Sequence, residues 1–141
     1  MLIQNLNDAS LIGIGLLIIR LAIGITMMGH GCQKLFGWFG GGGPVGFAQW
    51  LKSLGIERGG RFWSIAAGLF ELVGGFLFCT GFLTAVGAAL ISVVMMDAIA
   101  IVHRKNGFWI DKGGFEYTFM LIVVTIGIAL IGPGPYVLFP S

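Results

Sequence analysis

Apolar residues fill four long stretches of this chain, and the polar residues between them are few. Runs of this length read as helices across a bilayer, because backbone groups in lipid must be satisfied within the segment itself. The first stretch covers residues 11–35, the second 62–80, the third 83–103 and the fourth 115–131. Gly81 to Thr84 leave room only for a tight turn, so spans two and three form an antiparallel hairpin. Gly132-Pro-Gly-Pro135 stops the fourth span. A different pattern lies between spans one and two. Phe47, Trp50, Leu51 and Leu54 fall at i, i+3, i+4 and i+7, after Pro44 and before Gly55. That spacing predicts a short amphipathic helix in the headgroup layer, with Trp50 as its anchor. The expected fold is an all-α integral membrane four-helix bundle, one domain over 1–141, with this interfacial helix between spans one and two.

Composition agrees with that pattern. Hydrophobic residues make up 57% of the 141 and charged ones 10%, against about 25% charged in a soluble domain. Mean hydropathy is +0.97. A net charge of +2 and the absence of a basic cluster argue against a nucleic-acid partner. No positive region precedes the first apolar run, which therefore reads as a retained span. Lys34, Lys52, Arg58, Arg61, Arg104, Lys105 and Lys112 all fall in or beside loops one and three. The positive-inside rule then predicts a multi-pass protein of the plasma (inner) membrane, with those loops cytoplasmic and both termini outside.

The ionisable residues inside the spans suggest chemistry. Arg20, Met27, His30 and Lys34 lie within an arc of roughly 80° on span one. A charged stripe facing lipid is costly, so it is expected to face other helices or a wet cavity. Glu71 near the middle of span two and Asp97 in span three lie at similar depth. Arg20 is therefore expected to pair with a carboxylate, Glu71 above all. Ser64, Ala67, Gly68, Gly74 and Gly75 surround Glu71 and allow close approach. A second polar group, His30, Lys34, His103, Glu116 and Tyr117, gathers at the basic ends. Snorkelling at the interface explains Lys34 and Glu116 as well as a site role does. An interior histidine is more often a packing residue than a catalyst, although His30 lies a turn deeper between Gly29 and Gly31. The candidate binding residues are thus Arg20, Met27, His30, Lys34, Glu71, Met96, Asp97 and Glu116, with His30 and Glu71 as the groups suited to proton transfer. Met27 and Met96, with aromatics such as Phe70, are the expected walls of a flat slot. Met28 and Met95 share the same methionine pattern, and plain packing is the commoner role for such residues. Cys32 and Cys79 lie on the order of 25 Å apart in depth, too far for a disulfide. The chain has no metal-ligand set, cluster-type cysteines or dinucleotide fingerprint.

These residues, in their order, resemble the DoxX family of small membrane proteins. The similarity rests on Arg20 to Lys34 with His30-Gly31, Glu71-Leu-Val-Gly-Gly75, Gly81, the His103 region, Gly107-Phe108, Gly114 with Glu116-Tyr117, and Gly132-Pro-Gly134. It covers about residues 11–135. The resemblance implies a four-span bundle with a redox association. Its relatives include a subunit of a thiosulfate:quinone oxidoreductase, proteins linked to quinone, catechol or thiol stress, and partners of a superoxide dismutase and a sulfurtransferase. No proven catalytic role carries over. The leading expectation is a quinone-binding or quinone-reactive membrane redox protein whose electrons come from a partner, a thiol or a bound substrate. Quinone is the one cofactor expected, and nothing is covalently bound. Its rivals are a scaffold for redox enzymes at the membrane, a small-molecule carrier, and a haem b protein on His30 and His103, although no haem is expected. The bilayer, redox enzymes and a second copy of the chain are the candidate partners.

Overall fold

The computed structural model describes residues 8–139, and every regular element among them is helical. Helix α1 spans Asp8–Leu35, α2 Gly43–Ser53, α3 Gly60–Thr80, α4 Thr84–Ala98 and α5 Glu116–Ile131. A π-helical turn, Ile99–His103, and a 3-10 turn, Arg104–Asn106, continue α4. Three stretches are long and apolar enough to cross a membrane: Ser10–Leu35, Gly60–Thr80 and Thr84–Asn106. The fourth expected span forms α5, which at 16 residues covers only roughly 24 Å. It is an apolar helix of the bundle, shorter than the about 20 residues that a crossing helix ordinarily needs. Large apolar side chains such as Ile12, Ile18, Ile25, Phe62, Leu69, Phe76 and Val123 face outward. An outer surface this apolar suits lipid, not water, and the protein is a membrane protein.

Helix α1 packs mainly on α3, α3 on α4, and α4 on α5. The α1–α3 seam is built on small residues, as the sequence pattern implies. A Cβ added to Gly75 would lie 2.6 Å from the Gly24 carbonyl oxygen, and one on Gly31 2.7 Å from that of Gly68. Backbone meets backbone there, which gives van der Waals contact without help from a hydrophobic effect. Gly87 plays the same part between α4 and α3, where a Cβ would meet the Phe78 nitrogen at 2.8 Å. Met27, Phe78, Ile91, Met95, Leu121 and Ile128 fill the centre. The Ser92 and Thr125 hydroxyls meet within it at 3.4 Å.

The amphipathic helix forms where its pattern places it. Pro44 sits in its first turn, where a missing N–H costs nothing. It ends in a Schellman motif: Ile56 N–H donates to the Leu51 carbonyl and Gly55 N–H to that of Lys52, both at 3.0 Å. Gly55 carries the positive φ of +91° that this ending requires. The motif turns the chain back towards α3, which α2 packs against.

Candidate functional site

Two cations of α1 turn into the bundle, Arg20 buried and Lys34 partly so, and they are satisfied differently. Arg20 is 1% exposed. Its Nε donates to the Phe78 carbonyl at 3.2 Å, and Nη2 to those of Cys79 at 3.1 Å and Tyr136 at 2.8 Å. Nη1 donates to the Pro133 carbonyl. Arg20 therefore does not pair with Glu71. It ties α1 to the end of α3 and to the segment that follows α5. Leu138 N–H donates to the Thr80 carbonyl at 3.0 Å and pins the same segment.

Glu71 instead pairs with Lys34, whose Nζ donates to its two oxygens at 2.8 and 2.7 Å. The reason lies in helix geometry. A Cα–Cβ bond leans towards the N-terminus of its helix. Helices α1 and α3 run antiparallel, so Lys34 leans inward from the basic end while Glu71 leans to meet it. Arg20, on the same helix as Lys34, leans the same way, which carries it away from Glu71 and towards the α3–α4 turn. The Lys34 backbone is held in register too, because the Ser64 hydroxyl donates to its carbonyl at 3.0 Å.

The Lys34–Glu71 pair forms part of the wall of a cavity of about 490 Å³. This lies within the ordinary range for small-molecule sites, about 300–1,000 Å³. Helix α1 contributes His30 and Lys34. Helix α3 contributes Trp63, Ala67 and Glu71, and α5 Tyr117 and Thr118. Val94, Met95, Asp97 and Ala98 come from α4, and Ile101, Val102 and His103 from the π turn that follows. Phe47, Trp50 and Leu51 of α2, with Ile56 just beyond it, close the cavity on one side. The apolar face of α2 is thus turned to the cavity, beyond the interfacial anchoring its pattern suggests. The Lys34 ammonium stands 5.6 Å from the Phe47 ring centroid, within cation–π range. The π turn widens the helix on the cavity wall, a deviation frequent at functional sites.

Of the eight candidate binding residues, the fold gathers His30, Lys34, Glu71 and Asp97 around this cavity. Four lie elsewhere. Arg20 holds carbonyls at the other end of the bundle. Met27 is fully buried in the core. Met96 is 52% exposed on the outer surface, because it follows the cavity-lining Met95 by about 100° of helix. Glu116 accepts the Ile110 N–H at 2.9 Å and shapes the loop before α5. Phe70 is likewise on the outside. The aromatic walls are Phe47, Trp50, Trp63 and Tyr117. Trp63 gave no sequence signal beyond being an aromatic near a span end, which usually marks the interface. Cys32 and Cys79 are both free thiols, as their separation in depth predicts. Among the described residues, no group of three or more His, Cys, Asp or Glu side chains could hold a metal ion.

Comparison with known proteins gives this geometry a family. The chain is 29% identical over 119 residues to the Bacillus subtilis (strain 168) protein named "Putative oxidoreductase CatD". The match takes in 84% of this chain and 80% of that protein. No solved structure matches. A family model, DoxX, matches residues 15–104, which include Arg20, His30, Lys34, Glu71, Asp97 and His103 and end before Tyr117. That match covers well over half of the sequence, and the chain belongs to the DoxX family.

Proposed function

We propose that this protein has a redox-associated role in the membrane and binds a quinone-type ring in the cavity beneath α2. The observation that carries this reading is the placement of the Lys34–Glu71 ion pair on the wall of an otherwise largely apolar, aromatic-rich cavity. A buried pair is a weak device for stability, because desolvation offsets most of its attraction. A flat ring with oxygens at its edge needs apolar faces and a few polar contacts at the rim. Trp50, Trp63 and Phe47 supply the first. Lys34, Tyr117 and His30 supply the second. The resemblance of the chain to a protein named as an oxidoreductase supports the redox side of the reading.

The chain's residues bind, orient and exchange protons in this reading. Glu71 and His30 are the proton-handling groups, and electrons come from a partner or a soluble donor. The basic loops are cytoplasmic in this arrangement, which places the cavity near the cytoplasmic face. Calorimetric titration of the full chain in lipid nanodiscs with menadione, a simple naphthoquinone, tests the reading. Saturable binding is expected, weakened about tenfold or more by Lys34→Met through loss of the charged donor to a ring carbonyl. A wild-type protein that takes up no menadione beyond its partition into empty nanodiscs would refute it.

A further inference from the structure

Both histidines of the cavity are held by partners that can only accept. The Gln33 side-chain amide donates to the Phe39 carbonyl at 3.1 Å, which fixes which end of the amide is nitrogen. Its oxygen therefore faces His30 Nδ1, at 3.0 Å. An amide oxygen has no hydrogen to give, so Nδ1 of His30 carries the proton. His103 repeats the arrangement with a main-chain partner. Its Nδ1 lies 2.8 Å from the Gly113 carbonyl oxygen, so it too is the protonated nitrogen. A neutral imidazole with its hydrogen on Nδ1 keeps a lone pair on Nε2. The two histidines, from α1 and from the π turn after α4, line one cavity with the same tautomer.

Part of the rest of the wall adds to this bias. Among the described residues Lys34 is the one ammonium on the wall, and two of its three N–H donors go to the oxygens of Glu71, while the Tyr117 hydroxyl can donate as well as accept. Asp97 is a further acceptor on the wall. We infer that the cavity selects the reduced, hydroxyl-bearing form of a quinone-type ring, whose O–H groups donate to Nε2 of His30 and His103, over the oxidised form, whose carbonyls can only accept. Gln33 is the positioning residue for His30. The inference rests on the function proposed above and specifies the oxidation state that the site prefers.

The test compares menadiol with menadione, each titrated under anoxia into the full chain in nanodiscs. The expected result is tighter binding of menadiol by about tenfold, with each of His30→Ala and His103→Ala removing about threefold of that preference, as for one neutral hydrogen bond. Equal affinity for the two forms overturns the inference and leaves the functional reading intact. Binding of neither form overturns both. A measurement that needs no variant stands beside it. Nitrogen NMR of ¹⁵N-histidine-labelled protein is expected to show Nδ1 protonated and Nε2 bare at both residues. Gln33→Leu should shift His30 alone towards the other tautomer and lower the preference for menadiol. Protonated Nε2 in the neutral wild-type imidazoles overturns the inference, whatever the variants do.

Discussion

Arg20 and Lys34 lie on the same face of one helix, fourteen residues apart, yet they do different work. Arg20 is sealed among four main-chain carbonyls at the end of the bundle where α3 turns into α4. Its partners are fixed by the fold and cannot exchange protons at physiological pH. Lys34 meets a carboxylate, itself 2% exposed, and opens onto a cavity. Its partner can ionise, and a bound molecule can compete for it. An inward-facing cation therefore does not by itself distinguish structure from function. The chemistry of the partner and the presence of adjoining space do.

The sharpest way to break this contrast is to remove each cation. Arg20→Leu strands buried carbonyls on two segments, and hydrogen bonds to a charged group contribute about 1.5–3 kcal/mol each. The expected loss is at least about 3 kcal/mol, read as a large drop in melting temperature in detergent, and no second substitution can compensate main-chain partners. Lys34→Met leaves the Glu71 carboxyl buried without its partner, which costs about 3–5 kcal/mol if it stays ionised. Here compensation is available. The double variant Lys34→Met/Glu71→Leu should recover most of the stability yet bind no menadione. If that double variant still binds, the pair is purely structural and the two ends of the helix are alike.

A smaller effect is expected at the seam that joins the two ends. Gly75→Ala pushes a methyl group into the Gly24 carbonyl and should cost about 1–3 kcal/mol, as overpacking does. Trp50→Ala should leave the melting temperature nearly unchanged, since this ring is 42% exposed, but weaken ring binding about tenfold through lost aromatic contact. The smallest effect belongs to Met96→Ala. On the outer face it should change stability by less than about 0.5 kcal/mol and leave binding alone. A clear binding defect there would move the site to the lipid-facing side of α4.

The contrast also marks what the sequence reveals. The stripe of Arg20, Met27, His30 and Lys34 does turn inward, because a charge in lipid is expensive whichever helix it faces. The amphipathic helix, the tight α3–α4 hairpin and the glycine seam likewise follow from local pattern and small-residue spacing. Partner choice does not. Depth counted from the span ends put Arg20 near Glu71, but the α1–α3 register sets Gly31 against Gly68 and Gly24 against Gly75. Glu71 therefore lies near the level of Gly31, and side-chain lean then brings Lys34 to it. Met96 and Met95 look equivalent in a run of apolar residues, and only the packing of α4 against α3 and α5 separates wall from surface.

The sequence by itself determined that this is a helical membrane protein and that Arg20 and Glu71 must be hidden, although Asp97, at similar depth, is exposed. Those properties follow from transfer free energies, which depend on residue type and helical period alone. Only the tertiary structure decided that Arg20 fastens chain segments while Lys34 and Glu71 border a cavity roofed by α2. Which atoms meet, and where space remains between them, depends on how separate helices are brought together, and no local pattern carries that information.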